Sequence, residues 1–223
     1  MFRDRIDAGR RLARALAAFW REQPIVVALP RGGVPVGFEV AHALRAPLDV
    51  IVVRKVGHPA NPELAIGAVV NGDQPTVVLD HSTTGMLGTS KADVEAAVSS
   101  AIRELVRRER HFATHRPGVE MAGRVVIVVD DGIATGHTMR AALQHVRSQG
   151  GRRTILAVPV APPRSLVELR SECDLVVCLL EPSTFHAVGN FYADFTQVTD
   201  EEVVNLLDRS RSGLLARKPF ESG

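Results

Sequence analysis

The chemistry in this 223-residue sequence is concentrated in one run, VVDDGIATGHT, at residues 128 to 138. A β-branched stretch, VVIVV, leads into two adjacent acids, Asp130 and Asp131, followed by Gly132, Ile133, Ala134, Thr135, Gly136, His137 and Thr138, with helical spacing from about Met139. Strand, loop and helix in that order put the loop at the carboxyl end of a strand, where open α/β sheets bind ligands. The helix that follows offers unpaired N–H groups and the positive end of its dipole, which suit a phosphate. Gly132 and Gly136 let the backbone approach a ligand closely, and Thr135 and Thr138 add hydroxyl donors. Two carboxylates beside an anion site make sense when the ligand also carries hydroxyls or brings a divalent cation, as a sugar phosphate does. Ribose 2′ and 3′ hydroxyls would donate to Asp130 and Asp131 while the 5′-phosphate rests in the TGHT turn. For any one of these residues an ordinary capped turn is the plainer alternative. Two other phosphate motifs are excluded. Gly132 to Gly136 is one residue short of a Walker A loop with His137 in place of lysine, and PRGGVPVG lacks the G-x-G-x-x-G spacing of dinucleotide sites.

The elements that position this loop follow from hydrophobic patterning. Apolar runs at 25 to 29, 48 to 53, 76 to 80, 125 to 129, 154 to 160 and 174 to 180 barely alternate with polar residues. Strands covered on both faces read this way, so the fold class expected is α/β, a mainly parallel twisted sheet flanked by helices in three layers. Helices are predicted over 4 to 21, with Ile6, Leu12, Ala13, Leu16 and Phe19 on one face, and over 34 to 45, 138 to 149 and 91 to 116. Residues 1 to 210 form one expected domain, 57 to 118 a helical excursion from it, and 211 to 223 a loose tail. A hydrophobic fraction of 45% is enough to build a core, and a net charge of +2 selects neither nucleic acid nor membrane as partner. Cys173 and Cys178 are too few for a disulfide framework and read as buried thiols, and no apolar segment reaches spanning length, so a cytoplasmic location is expected. The eight histidines show no zinc-ligand spacing and G-x-S-x-G is absent. The basic end of the 91 to 116 helix reads as solvated arginines or, with less support, an RNA contact.

An apolar strand, two acids and a short loop ending T-G-x-T resemble the signature by which type I phosphoribosyltransferases bind phosphoribosyl pyrophosphate. The likeness extends over most of the chain and implies roles for three further segments. LPRGGVP, at 29 to 35, is similar to the family's diphosphate loop, with Arg31 supplying charge and Gly32 and Gly33 free amides; a plain glycine turn is the alternative. Arg54 and Lys55 resemble the cations that open the family's mobile loop and steady the leaving diphosphate, although a solvated strand end would look the same. Glu63 would be a general acid or base on that loop, or a surface carboxylate. Phe185, Phe191 and Tyr192, in a chain with 4% aromatics, resemble a hood at about 181 to 200 that stacks on a base, unless they simply pin a loop.

The resemblance therefore implies transfer of a 5-phosphoribosyl group to a nitrogenous base, with Mg²⁺ bound with the donor and touching Asp130 and Asp131 only through ligand or water. Small-molecule substrates are the expected partners, and a homodimer is compatible with the reading. Ala134 stands where hypoxanthine and guanine transferases carry an acid, and VAPP follows the next strand where they carry a lysine, which argues against those acceptors. DDGIATG is closer to adenine-type loops. A regulatory sensor of phosphoribosyl pyrophosphate or a nucleotide is the competing class, and a sugar-phosphate hydrolase a third.

Overall fold

The structure is a computed structural model describing residues 1–72, 75–79, 89–112 and 118–215, with the side chains of residues 62, 63, 108–111 and 214–215 outside that description. Its strands are β1 (Ile25–Ala28), β2 (Leu48–Val50), β3 (Val53–His58), β4 (Asn61–Val70), β5 (Thr76–Leu79), β6 (Val125–Val129), β7 (Arg153–Val160) and β8 (Leu175–Leu180). Its α-helices are α1 (Arg5–Ala15), α2 (Gly33–Leu44), α3 (Lys91–Phe112), α4 (His137–Ser148), α5 (Pro163–Leu169) and α6 (Asp200–Leu215).

Five strands form the expected parallel sheet in the order β2-β1-β6-β7-β8. Every residue of β1 and β6 is buried because helices cover both faces. Val26, Ala28, Ile127, Val129 and Ile155 face Leu12 of α1, Val40 of α2, Leu105 of α3 and Val203 of α6. Val27, Val128, Leu156 and Val158 face Met139 and Leu143 of α4 and Leu166 of α5. Each such aliphatic side chain contributes about 1.5–3 kcal/mol on burial, so the central strands are the most firmly held part of the chain.

The excursion is not helical alone. β3, β4 and β5 make a separate antiparallel sheet in that order, and α3 packs on it, so the 76 to 80 run does not join the main sheet and the departure begins at Val53. The 48 to 53 run divides because its ladder ends early. Ile51 N–H still reaches the Ala28 carbonyl at 3.1 Å, whereas Val52 N–H donates to the Asn71 side chain at 2.7 Å, and the chain turns into β3. A run of apolar residues carries no mark of that change of partner.

Two helix boundaries also differ from expectation. α1 buries Ala8, Gly9, Leu12 and Ala13 but leaves Ile6 43% exposed, and a separate 3₁₀ turn spans Ala17–Glu22. Residues 211 to 215 continue α6 instead of starting a tail. The reason is local and tertiary together. Thr199 Oγ1 accepts from Glu202 N–H at 3.1 Å while the Glu202 carboxylate accepts from Thr199 N–H at 2.7 Å, a reciprocal cap, and Val203 and Leu207 then dock on the core. Thr199→Ala is expected to lower stability by about 1 kcal/mol in urea unfolding without changing the cooperativity of the transition.

Candidate functional site

The chain leaves β1 for β2 on one side and returns at β6 on the other, so the carboxyl ends of β1 and β6 form the switch point of the sheet. The loops after both strands open there, tied at their base by Leu29 N–H to the Val129 carbonyl at 2.9 Å. In the second loop Asp131 N–H donates to Asp130 Oδ1 at 2.8 Å, Ile133 N–H reaches the Val160 carbonyl at 2.9 Å, and Ser165 Oγ donates to the Ala134 carbonyl at 2.6 Å. Gly136 then takes φ +79°, a left-handed value suited to glycine, and α4 starts at the next residue with no side chain capping it. Thr135 and His137 are exposed and Thr138 is half-buried beside these first-turn amides. The loop and the uncapped first turn of α4 thus lie side by side.

The first loop packs on the carboxylates. A methyl group at Gly32 would collide with the Asp131 carboxylate, and one at Gly33 would lie 2.9 Å from Asp130 Cα. The Pro30–Arg31 peptide is cis, and Arg31, about a third exposed, has Nη1 3.7 Å from Asp200 Oδ1 at the start of α6. Sequence-distant PRGG and DDG are thus one surface.

Burial pushes the Asp130 carboxyl well above the usual carboxylate range, and the neighbouring Asp131 charge adds to it. Asp131 is raised too, again by burial, against the pull of a cation that sequence reasoning missed. Arg5 Nε lies 2.8 Å from Asp131 Oδ2, with the two side chains 11% and 14% exposed. The only signal in the sequence was an arginine-rich N-terminal helix, which reads equally well as a solvated face.

Of the two roles open to the aromatic segment, Tyr192 takes that of pinning a loop. Tyr192 is 5% exposed, its hydroxyl donates to the Asp131 carbonyl at 2.5 Å, and its ring lies 5.3 Å from Phe2 and 5.0 Å from Phe195. It props the loop and offers no face to a base. Phe185 and Phe191 stack on each other at 5.5 Å beside Leu179 and Leu180. Val188 reaches over Gly132, where a Cβ would meet it at 2.5 Å, so this segment does roof the loop.

Arg54 and Lys55 do not open a free loop. Both are exposed residues inside β3, paired with Val69 and Ala68 of β4. The side chain of Glu63 lies outside the described residues. Cys173 and Cys178 are free thiols, half-buried instead of fully enclosed, and burial raises both, Cys178 to about 11. Among the described residues no three His, Cys, Asp or Glu side chains converge as a metal cage, and no helix is long and apolar enough to cross a membrane. A cavity of about 670 Å³ lies elsewhere, lined by Asp49, Asn71, His145 and Gln149 among others, and shares no residue with the two loops. The chemistry is concentrated at the loops, so size does not mark the site here.

The folded chain holds the Asp130 proton more tightly than the unfolded chain does. Its stabilising contribution is therefore complete below the unfolded carboxylate range and is lost as pH rises through the folded value. Asp130→Asn removes that loss. The variant is expected to melt a few degrees above the parent at pH 8, with the gap closing on acidification, when followed by calorimetry in the absence of ligand.

Comparison with known proteins agrees with this geometry. Residues 3–196 match the model of the phosphoribosyl transferase domain. Two proteins of Mycobacterium tuberculosis, from strains CDC 1551 and H37Rv, carry provisional phosphoribosyl transferase names and are each 45% identical over 210 residues, 94% of this chain. That stretch is 47% of their own length, so the chain spans about half of these curated relatives. A crystal structure of a Thermus thermophilus protein, TT1426, superposes with a TM-score of 0.82 at 44% identity, covering 93% of this chain and 97% of that one. A match over residues 3–196 takes in both loops, α1 and the aromatic segment, and the chain belongs to the phosphoribosyl transferase domain family.

Proposed function

We propose that the chain binds phosphoribosyl pyrophosphate at the β1–β6 switch point and transfers its 5-phosphoribosyl group to a nitrogenous base, releasing diphosphate. The observation that carries this is the packing of PRGG directly on the Asp130–Asp131 carboxylates, beside the uncapped start of α4. A 5′-phosphate fits the first-turn amides with Thr135 and Thr138, and the ribose hydroxyls fit the two acids. The diphosphate then falls over the PRGG loop, where the Gly32 amide and the Arg31 charge neutralise it; the Gly33 N–H, expected to be free, is held by the Leu29 carbonyl at 3.0 Å. In the reaction the bond from C1′ to the diphosphate oxygen breaks, a bond to a ring nitrogen of the base forms, and the base loses its proton to solvent or a basic side chain.

Mg²⁺ fits as a companion of the donor. Two carboxylates that would meet it only through ligand or water match its habit of taking most of its ligands from phosphate and water. When bound, it would offset charge growing on the departing diphosphate. Asp130, whose Oδ1 accepts from Asp131 N–H, and Asp131 would meet it through the ligand or through water.

The sensor reading draws on the placement of Arg54 and Lys55 inside β3, where the cations assigned to the leaving group belong to a sheet strand. Diphosphate release measured across a panel of purine and pyrimidine bases separates the two: base-dependent release marks a transferase, and tight binding of phosphoribosyl pyrophosphate without release marks a sensor. Release with no base added points to hydrolysis. Asp131→Asn is expected to weaken phosphoribosyl pyrophosphate binding by about ten-fold or more in calorimetry, and unchanged affinity sinks the assignment.

A further inference from the structure

We infer that Arg5 is a positioning residue for the donor, reaching from α1 to hold the Asp131 carboxylate aimed at the mouth of the loop. The inference rests on the reading that Asp131 receives the ribose hydroxyls. Its geometric basis is how completely the guanidinium is fixed. Nε bonds Asp131 at 2.8 Å, Nη1 donates to the Thr196 carbonyl at 2.7 Å, and the Phe195 ring lies 3.8 Å below the guanidinium carbon. Held by a carboxylate, a carbonyl and a ring, Arg5 is not free to swing onto a phosphate. It acts on the donor through Asp131.

The frame around Arg5 is itself sewn together. Phe2 N–H donates to the Phe191 carbonyl, Ala193 N–H to the Phe2 carbonyl, and Asp194 N–H to the Arg3 carbonyl, each at 2.8 Å. Phe2 and Arg3 therefore lie along the aromatic segment through a single parallel bridge from Phe2 to Tyr192, and α1 leaves this clasp with Arg5 in its first turn. Tyr192, from the same segment, holds the backbone carbonyl of Asp131 while Arg5 holds its side chain. One clasp grips both ends of one residue.

Charge explains why a cation is needed there. The Asp131 charge raises Asp130 on the same loop, the Asp130 side chain hydrogen-bonds Asp131, Tyr192 faces Asp131 from the aromatic segment, and Asp194 also feels the Arg5 charge. Without Arg5 two enclosed carboxylates would share one small space, and the proton each then prefers would remove an acceptor from the ribose.

The test reads Asp131 directly. In ¹³C NMR of the ligand-free protein, the Asp131 carboxyl of Arg5→Gln is expected to titrate at higher pH than in the parent. Arg5→Lys, which keeps the charge but not the guanidinium bonds, falls between and serves if the glutamine variant does not fold. In calorimetry near pH 6, Arg5→Gln is expected to weaken phosphoribosyl pyrophosphate about ten-fold, with the loss narrowing as pH rises. The same change is expected to add nothing in an Asp131→Asn background. An Asp131 titration unmoved in both variants overturns the inference, and so does an equal loss in the Asp131→Asn background, which would mean that Arg5 acts on the ligand or the fold independently. A parent protein that fails to bind phosphoribosyl pyrophosphate overturns the donor reading instead, while the NMR titration still decides whether Arg5 governs Asp131.

Discussion

Two carboxylates on successive residues, at the end of a strand that is dry on both faces, impose a constraint that much of this structure answers. Burial opposes the ionisation of both, and the Asp131 charge opposes that of Asp130 as well. The surroundings supply partial answers at separate points: the Asp131 amide on Asp130, the Arg5 guanidinium on the Asp131 carboxylate, and the Tyr192 hydroxyl on the Asp131 carbonyl. None of these contacts neutralises both acids at once. Such incomplete neutralisation is what a binding site needs and what a purely structural turn would avoid.

The sheet order makes that arrangement reachable. β1 and β6 lie side by side and parallel, so loops from distant parts of the chain emerge together without either element having to bend. The strands beneath are wholly apolar and fix the height of both loops, while the soft adjustments are left to the aromatic segment and α1. Rigid support below and a sewn roof above give the first contact with ligand to residues whose backbone is already placed.

How much of this could be read from residues alone depended on whether the determining contact was local. VVIVV, the acids, the glycines and the start of α4 are contiguous, and strand, loop and helix all behave as their spacing predicts. The 48 to 53 run failed as a unit because Asn71, nineteen residues on, captures the Val52 amide and sends the chain into a second sheet. Tyr192 failed as a stacking residue because its partners, Phe2 and Asp131, come from distant parts of the sequence. Arg5 was invisible for the same reason, since nothing near it distinguishes an arginine that meets a carboxylate 126 positions away from one that meets water. Glycines at 32 and 33 were legible as freedom of backbone, but the reason for them is occupancy: the acidic residues fill the space where their side chains would be.

That occupancy has a consequence for how such a protein can change. Because the Asp131 carboxylate fills the volume a side chain at position 32 would need, neither residue can drift alone. A larger residue in the first loop demands that the acid retreat, and a retreating acid abandons Arg5 and with it the anchorage of the first helix. Mutations at three sites scattered along the chain are thereby made conditional on one another. Divergence is correspondingly freer at the rim, at Thr135, His137 and the exposed edge of the aromatic segment, than at the floor where the two loops meet.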